Sequence, residues 1–365
     1  MTTLALHEFH AGLNAQFAEV NGCEVVNDYG DAAAEYAALR NTAGALDLSF
    51  RGRICLTGAD RVRFLNGQVT NNVKDLRTGQ GCYAALVTAK GKLESDLNIY
   101  ALANELLLDF EPGYGSTVAQ RLEKYIIADD VQVVDAAPHY GLLSAQGPKA
   151  ENVVRSLGLP SEIPEKPMQF ATASDATLGE VYLMNQPRTG TSGFDLFVPI
   201  AALGAVMDKL IAAAKLAGGR ACGWRALEMA RLEASVPRFG ADMDGTNLAP
   251  EAGIEQRAIS YSKGCYIGQE VIARIRTYGQ VAKALRGLRL ADELKELPVK
   301  GDKLFHGDKE AGYITSALAS PALGANIALG YVRKEANQPG TKLTLKTQHG
   351  ESAVTIVELP FVRPR

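Results

Sequence analysis

The sequence predicts an α+β fold: two related, ferredoxin-like α+β units followed by a C-terminal β-barrel or sandwich. Three observations predict it. The chain has 365 residues, more than one compact core usually organises. Its middle runs twice through a pattern of strand, helix, paired strands and helix. After about Arg286 the helical period disappears and short strands alternate with turns.

The first pass opens with Arg53–Thr57 as a strand, and Gly58 leads into a short helix through Val62 and Leu65. Apolar stretches follow at Tyr83–Thr88, Leu97–Leu102 and Leu106–Phe110. A helix then places Val118, Leu122, Tyr125 and Ile126 on one face, and Val131–Val134 closes the unit. The second pass starts at Gly141–Ala145. A helix is expected from Pro148, a residue suited to a first helical turn, with Val153, Val154 and Leu157 buried. Strands at Val181–Met184 and Phe194–Val198 lead to a helix opened by Pro199 and stopped at Gly218-Gly219. In the last stretch, Gly307-Asp308 and His349-Gly350 are the turn signals of a small all-β module.

Composition excludes several function classes. Charged residues are 22% and the formal net charge is −3, so there is no global electrostatic footprint for nucleic acid. Locally, Lys263, Arg274, Arg276, Lys283, Arg286 and Arg289 face a single acid, Glu270, a run able to receive an anion. The N-terminal MTTLALHEFH reads as neither a signal peptide nor a transit segment. No stretch reaches the ~18 apolar residues of a membrane span. Five scattered cysteines (Cys23, Cys55, Cys82, Cys222 and Cys265) argue for a reducing compartment, and hence the cytoplasm. Without a Cys-x-x-Cys pair, no resident metal is expected. Gly79-Gln80-Gly81 lacks the third glycine of a dinucleotide fingerprint and reads as a turn. Lys90-Gly91-Lys92 reads as a hairpin turn, and Trp224 as a packing residue at the head of a helix.

The segment Lys263-Gly264-Cys265-Tyr266-Ile267-Gly268-Gln269-Glu270 is compositionally odd. If a helix starts near Gly268, Cys265 lies just before its N-terminus with Lys263 two residues away. Both features favour thiolate reactivity; a turn cysteine buried for packing is the alternative, and the residues leave the two evenly matched.

KGCYIGQEVIAR (residues 263–274) resembles the signature of the YgfZ-type folate-binding proteins, which include iron–sulfur assembly factors. These share a superfamily with the aminomethyltransferase (T-protein) of the glycine cleavage system. Ala45–Ser49, Thr57–Asp60, Phe64–Asn66, Gly91–Tyr100, Arg231–Ala234, Pro237–Met243, Pro250–Gly253, Gly312–Ser316 and Ile327–Val332 resemble that superfamily in the expected order. The resemblance implies a three-domain cloverleaf around a folate channel. Its domains would be residues 1–45 with 138–285, residues 46–137, and a barrel over 286–365.

The resemblance also implies roles. Asp96 matches the second acid of an Asp-Asp-Leu motif, near the reacting nitrogens of tetrahydrofolate, where a carboxylate can stabilise a developing cation or move a proton. Tyr83, Asn98, Arg231, Tyr266 and Gln269 are the expected folate-binding residues, Arg231 having an inter-domain ion pair as its alternative role, with Cys265 and Lys263 as a working thiol and its neighbour. The transferases carry a Glu that clamps the pterin edge. Here Arg188-Thr189-Gly190-Thr191-Ser192-Gly193-Phe194-Asp195 is shorter and has no acid at that place. The expected function is therefore a tetrahydrofolate-binding factor for iron–sulfur assembly or repair, including the enzymes that thiolate tRNA. Its expected partners are iron–sulfur proteins or their assembly machinery, with neither membrane nor stable nucleic-acid binding. The alternative is a folate-dependent aminomethyl or one-carbon transferase using Asp96.

Overall fold

The computed structural model describes residues 1–279 and 281–363. The internal repeat is present in the topology. One unit runs through strand Gly52–Thr57, helix Arg61–Gln68, the meander Gly81–Val87, Leu93–Ala101 and Leu106–Phe110, helix Gly115–Glu123 and strand Gln132–Asp135. Its five strands lie in the order second, third, fourth, first, last; in chain terms the meander lies beside Gly52–Thr57 and then Gln132–Asp135.

The other unit repeats this with Tyr140–Gln146, helix Ala150–Ser156, meander Phe170–Asp175, Gly179–Asn185 and Gly193–Pro199, helix Leu203–Leu216 and strand Arg220–Ala221. The meander again lies beside the unit's first strand. An extra strand, Gly44–Asp47, is inserted next. It pairs antiparallel with Tyr140–Gln146 and parallel with Arg220–Ala221. Each unit buries one helical stripe against its sheet: Val118 and Leu122 in the first, Leu203, Val206 and Leu210 in the second. Each such side chain contributes about 1.5–3 kcal/mol by leaving water.

The C-terminal module is a closed barrel of six strands, from Lys283–Leu290 to Gly350–Val357, rather than a sandwich. Closure pairs Leu288 with Ile356 and leaves no open edge.

The structure departs from the sequence expectations at four places. The helix expected to reach Ile126 ends at Glu123, and Tyr125 and Ile126 close it as turn residues still packed on the core. Pro148 precedes its helix instead of entering it; the helix begins at Ala150 after the cap Lys149. Strand Phe170–Asp175 was not anticipated, because its alternation is carried by Ala, Thr and Ser. The N-terminal hairpin Gln16–Val20/Cys23–Asp28 was also missed, although its Asn21-Gly22 turn has both residues at positive φ (50° and 78°), the strongest short hairpin signal.

Candidate functional site

Between the α+β units and the helix Trp224–Glu233 lies a cavity of about 610 Å³. That is within the ~300–1,000 Å³ typical of small-ligand sites. Apolar surface comes from Leu48, Phe50, Met168, Trp224 and Leu227. Trp224 is thus a wall residue as well as a packing one. Phe50 meets it edge-on at 5.5 Å, and the Arg238 guanidinium lies 4.7 Å from its ring centre. Met168, also in the wall, is held at φ +67°, a left-handed conformation that a non-glycine residue adopts only when its surroundings impose it.

Asp96 lines this cavity from the strand Leu93–Ala101. Tyr83, across the strand pair, donates its hydroxyl proton to Asp96 Oδ2 at 2.8 Å. The other carboxylate oxygen, Oδ1, is buried and has no protein partner. Burial, with help from the negative charge of Glu111, pushes the Asp96 carboxyl up to about 6. Such a group changes protonation near neutral pH and lacks one donor, as a carboxylate awaiting a ligand N–H would.

Around Asp96 most of the remaining charges are already committed. Arg51 donates from Nε to Asp109 Oδ1 at 2.7 Å and from Nη1 to Glu111. Arg188 forks onto Asp195, 2.6 Å at the shortest, and reaches Asp109 Oδ2 at 2.9 Å. Burial alone would raise the Asp109 carboxyl, but Arg51 and Arg188 hold it well below the usual range. Asp195 is fully buried behind Arg188 and does not reach the cavity. The shortened 188–195 stretch therefore offers a guanidinium, not an acid, to the pocket. Glu228 lines the cavity too, with both oxygens on Arg231.

The residues expected from the sequence divide into two groups. Tyr83, Asp96, Asn98 and Arg231 line the cavity. Asn98 acts within the wall, donating to Asp109 Oδ2 at 2.8 Å. Arg231 is spent on Glu228 and Asp242, so its donors hold the helix Trp224–Glu233 to the barrel side. Lys263, Cys265, Tyr266 and Gln269 lie outside the cavity lining.

That second group forms a clip on the first α+β unit. Lys263 Nζ donates to the carbonyls of Asn66, Val69 and Asn71 at 2.6–2.7 Å, which spends all three of its donors. The expected Lys263–Cys265 partnership is therefore not made. Burial lowers the Lys263 amine to about 8, with the neighbouring Cys82 opposing. Tyr266 is buried, 5.0 Å from that ammonium, and Ile267 N–H donates to Gly67 O at 3.1 Å. Gly268, at φ +82°, caps the helix Gln269–Tyr278; a Cβ there would meet Thr88 O at 2.5 Å. Of the five free cysteines, Cys265 is the exposed one.

The clip reaches the cavity through Asn71, whose carbonyl takes Lys263 and whose Nδ2 donates to Tyr83 O at 2.8 Å. Arg257 also reaches it, 5.0 Å from the Tyr83 ring centre. Sequence reasoning missed Phe50, Arg51, Glu111, Gln186, Glu228 and Arg257. Of these only Phe50-Arg51 carried a signal, adjoining the Ala45–Ser49 motif.

Residues 6–263 match the family described as the GCVT N-terminal domain, and residues 283–363 match the glycine cleavage T-protein C-terminal barrel domain. The chain belongs to the glycine cleavage T-protein family. Among its relatives, an aminomethyltransferase of Corynebacterium jeikeium is 30% identical over 354 residues, covering 92% of this chain and 90% of that protein. One of Halalkalibacterium halodurans is 29% identical, covering 90% and 89%. The crystal structure of glycine cleavage system aminomethyltransferase T from Bartonella henselae superposes with a TM-score of 0.89 over 100% of this chain and 99% of that one. At 24% identity it speaks for the fold.

Proposed function

We propose that this member of the T-protein family binds tetrahydrofolate in the Asp96 cavity and carries out a one-carbon transfer there. The observation that carries the reading is the buried Asp96 Oδ1 without a partner, in a carboxylate whose other oxygen Tyr83 fixes. A reduced pterin fits what the residues offer: apolar and aromatic walls for a flat ring, and an acceptor for a ring N–H. Tetrahydrofolate would supply the nucleophilic nitrogen. Asp96, ionised above about pH 6, would orient that nitrogen, stabilise positive charge developing on it and take up its proton. Pterin-edge recognition would fall to Gln186, or to lone pairs that Glu228 keeps while holding Arg231, in place of the missing acid, which accommodates transfer chemistry despite the altered 188–195 stretch. The relatives named aminomethyltransferase support this reading.

Trp224 is the single tryptophan and lies on the cavity wall, so it reports occupancy directly. Titration with tetrahydrofolate should change its emission saturably, and Asp96→Asn should weaken the response. An unchanged emission with no heat of binding would rule out the site.

A second reading rests on a separate observation: Cys265 is exposed at the tip of a segment whose neighbours Lys263, Tyr266, Ile267 and Gly268 are all used to hold it. In this reading the folate-loaded protein presents Cys265 to iron–sulfur proteins or their assembly machinery in the cytoplasm. Complementation of a deletion strain separates the two. Loss of iron–sulfur enzyme activity with Cys265→Ala supports this reading, and loss with Asp96→Ala alone removes it.

A further inference from the structure

A second cavity, about 750 Å³, lies on the far side of the Phe50-Arg51 segment, the two residues it shares with the Asp96 cavity. It is bounded by the N-terminal residues Thr2–Ala5, the strand Gly52–Thr57 and the helix Gly115–Glu123. Phe50, Ile54, Leu4, Ala119 and Val133 give it largely apolar walls.

Four arginines are buried among the described residues: Arg51, Arg53, Arg121 and Arg231. Arg51, Arg121 and Arg231 each contact a carboxylate. Arg53, 3% exposed and part of the second cavity's lining, forms no salt bridge among the described residues. It makes one side-chain hydrogen bond, from Nη1 to Arg51 O at 2.8 Å, and its Nε is buried without a partner. A buried charge with no counter-ion in contact is costly, and a guanidinium cannot escape the cost by giving up its proton. The nearby acids have other duties. Asp109, opposite Arg53 in the strand pair, is held by Arg51 and Arg188, and Asp47 is held by His10; Glu24 accepts from Leu4 N–H and His7, while Asp135 accepts from Ala137 N–H at the exposed rim.

We propose that the second cavity is a binding site for a small monocarboxylate with an apolar body, its carboxylate paired with Arg53. One uncommitted cation matches one negative charge, and the rim acids Glu123 and Asp135 disfavour a dianion such as phosphate. The apolar walls take the body of the ligand. The site is independent of the tetrahydrofolate reading, because the Phe50-Arg51 segment stands between the two cavities.

Benzoate is the probe, followed by calorimetry on the full chain. Wild-type protein should bind it saturably, bind neutral benzamide and inorganic phosphate far more weakly, and bind benzoate equally well with tetrahydrofolate present. Arg53→Met should weaken binding about tenfold or more, the loss expected for a buried charge-assisted pair. Absence of benzoate binding, equal affinity for benzamide or phosphate, competition by tetrahydrofolate, or unchanged affinity in Arg53→Met would each overturn the proposal. Should Arg53→Met fail to fold, the benzoate–benzamide comparison on the wild type decides alone.

Discussion

Asp96 and Cys265 sit in opposite surroundings. Asp96 lines a cavity with its charge desolvated, one oxygen fixed by Tyr83 and the other unpartnered. Cys265 is exposed, and the residues around it are consumed in fastening a segment to the surface of the first α+β unit. The conspicuous string in the sequence therefore marks a clip, while an unremarkable Ser-Asp-Leu in a strand places its acid on the wall of the cavity. Conspicuous composition reports how many constraints act on a segment. It does not report whether those constraints serve a ligand or a docking surface.

The contrast breaks most sharply at the pocket wall. Arg188→Met should destabilise the fold by about 3–5 kcal/mol, because it leaves Asp195 buried without its counter-ion and removes one of two cations from Asp109; denaturant unfolding measures it. Asp96→Asn should cost roughly 100-fold in one-carbon transfer, at the low end for a positioned acid or base, while the protein stays folded. Steady-state kinetics of the variant against the wild type give the number, and a loss under threefold would move the chemistry away from this carboxylate.

Lys263→Met should cost about 2–3 kcal/mol by stranding three carbonyls. Through Asn71 it should also weaken tetrahydrofolate binding more than Cys265→Ser does. If the two variants bind alike, clip and pocket are uncoupled.

Acid titration adds a smaller effect. The folded Asp96 carboxyl, near 6, lies above the ~3.9 of an unfolded chain, so the folded state holds that proton more tightly. Its contribution to stability falls as pH rises from about 4 to about 6 and is flat beyond. Asp96→Asn should therefore gain about 1–2 kcal/mol relative to wild type across that window, discounted for the partial exposure of the group. Transfer activity should rise with the ionisation of folded Asp96, centred near pH 6, in the wild type only. The smallest effect is Cys265→Ser, under ~0.5 kcal/mol in stability with folate affinity unchanged, because an exposed side chain holds nothing in place.

Strand and helix periodicity, the repeat of the two α+β units and the all-β C-terminal module were legible because they are local patterns of apolar spacing. Lys263–Glu270 and the Asp96 strand were likewise legible as places of interest. Helix ends were less so, since Tyr125 and Ile126 satisfy the same core from a turn as from a helix. What only the tertiary structure decided was which charges remain free. Arg51, Arg188 and Arg231 look as available in the sequence as Arg53 does. Their carboxylates, Asp109, Asp195 and Asp242, lie 58, 7 and 11 positions away and meet them only through strand pairing and packing. Lys263 is likewise claimed by carbonyls nearly two hundred residues earlier. Apolar periodicity is written into neighbouring residues, whereas the partner of a buried charge is a fact about the folded chain.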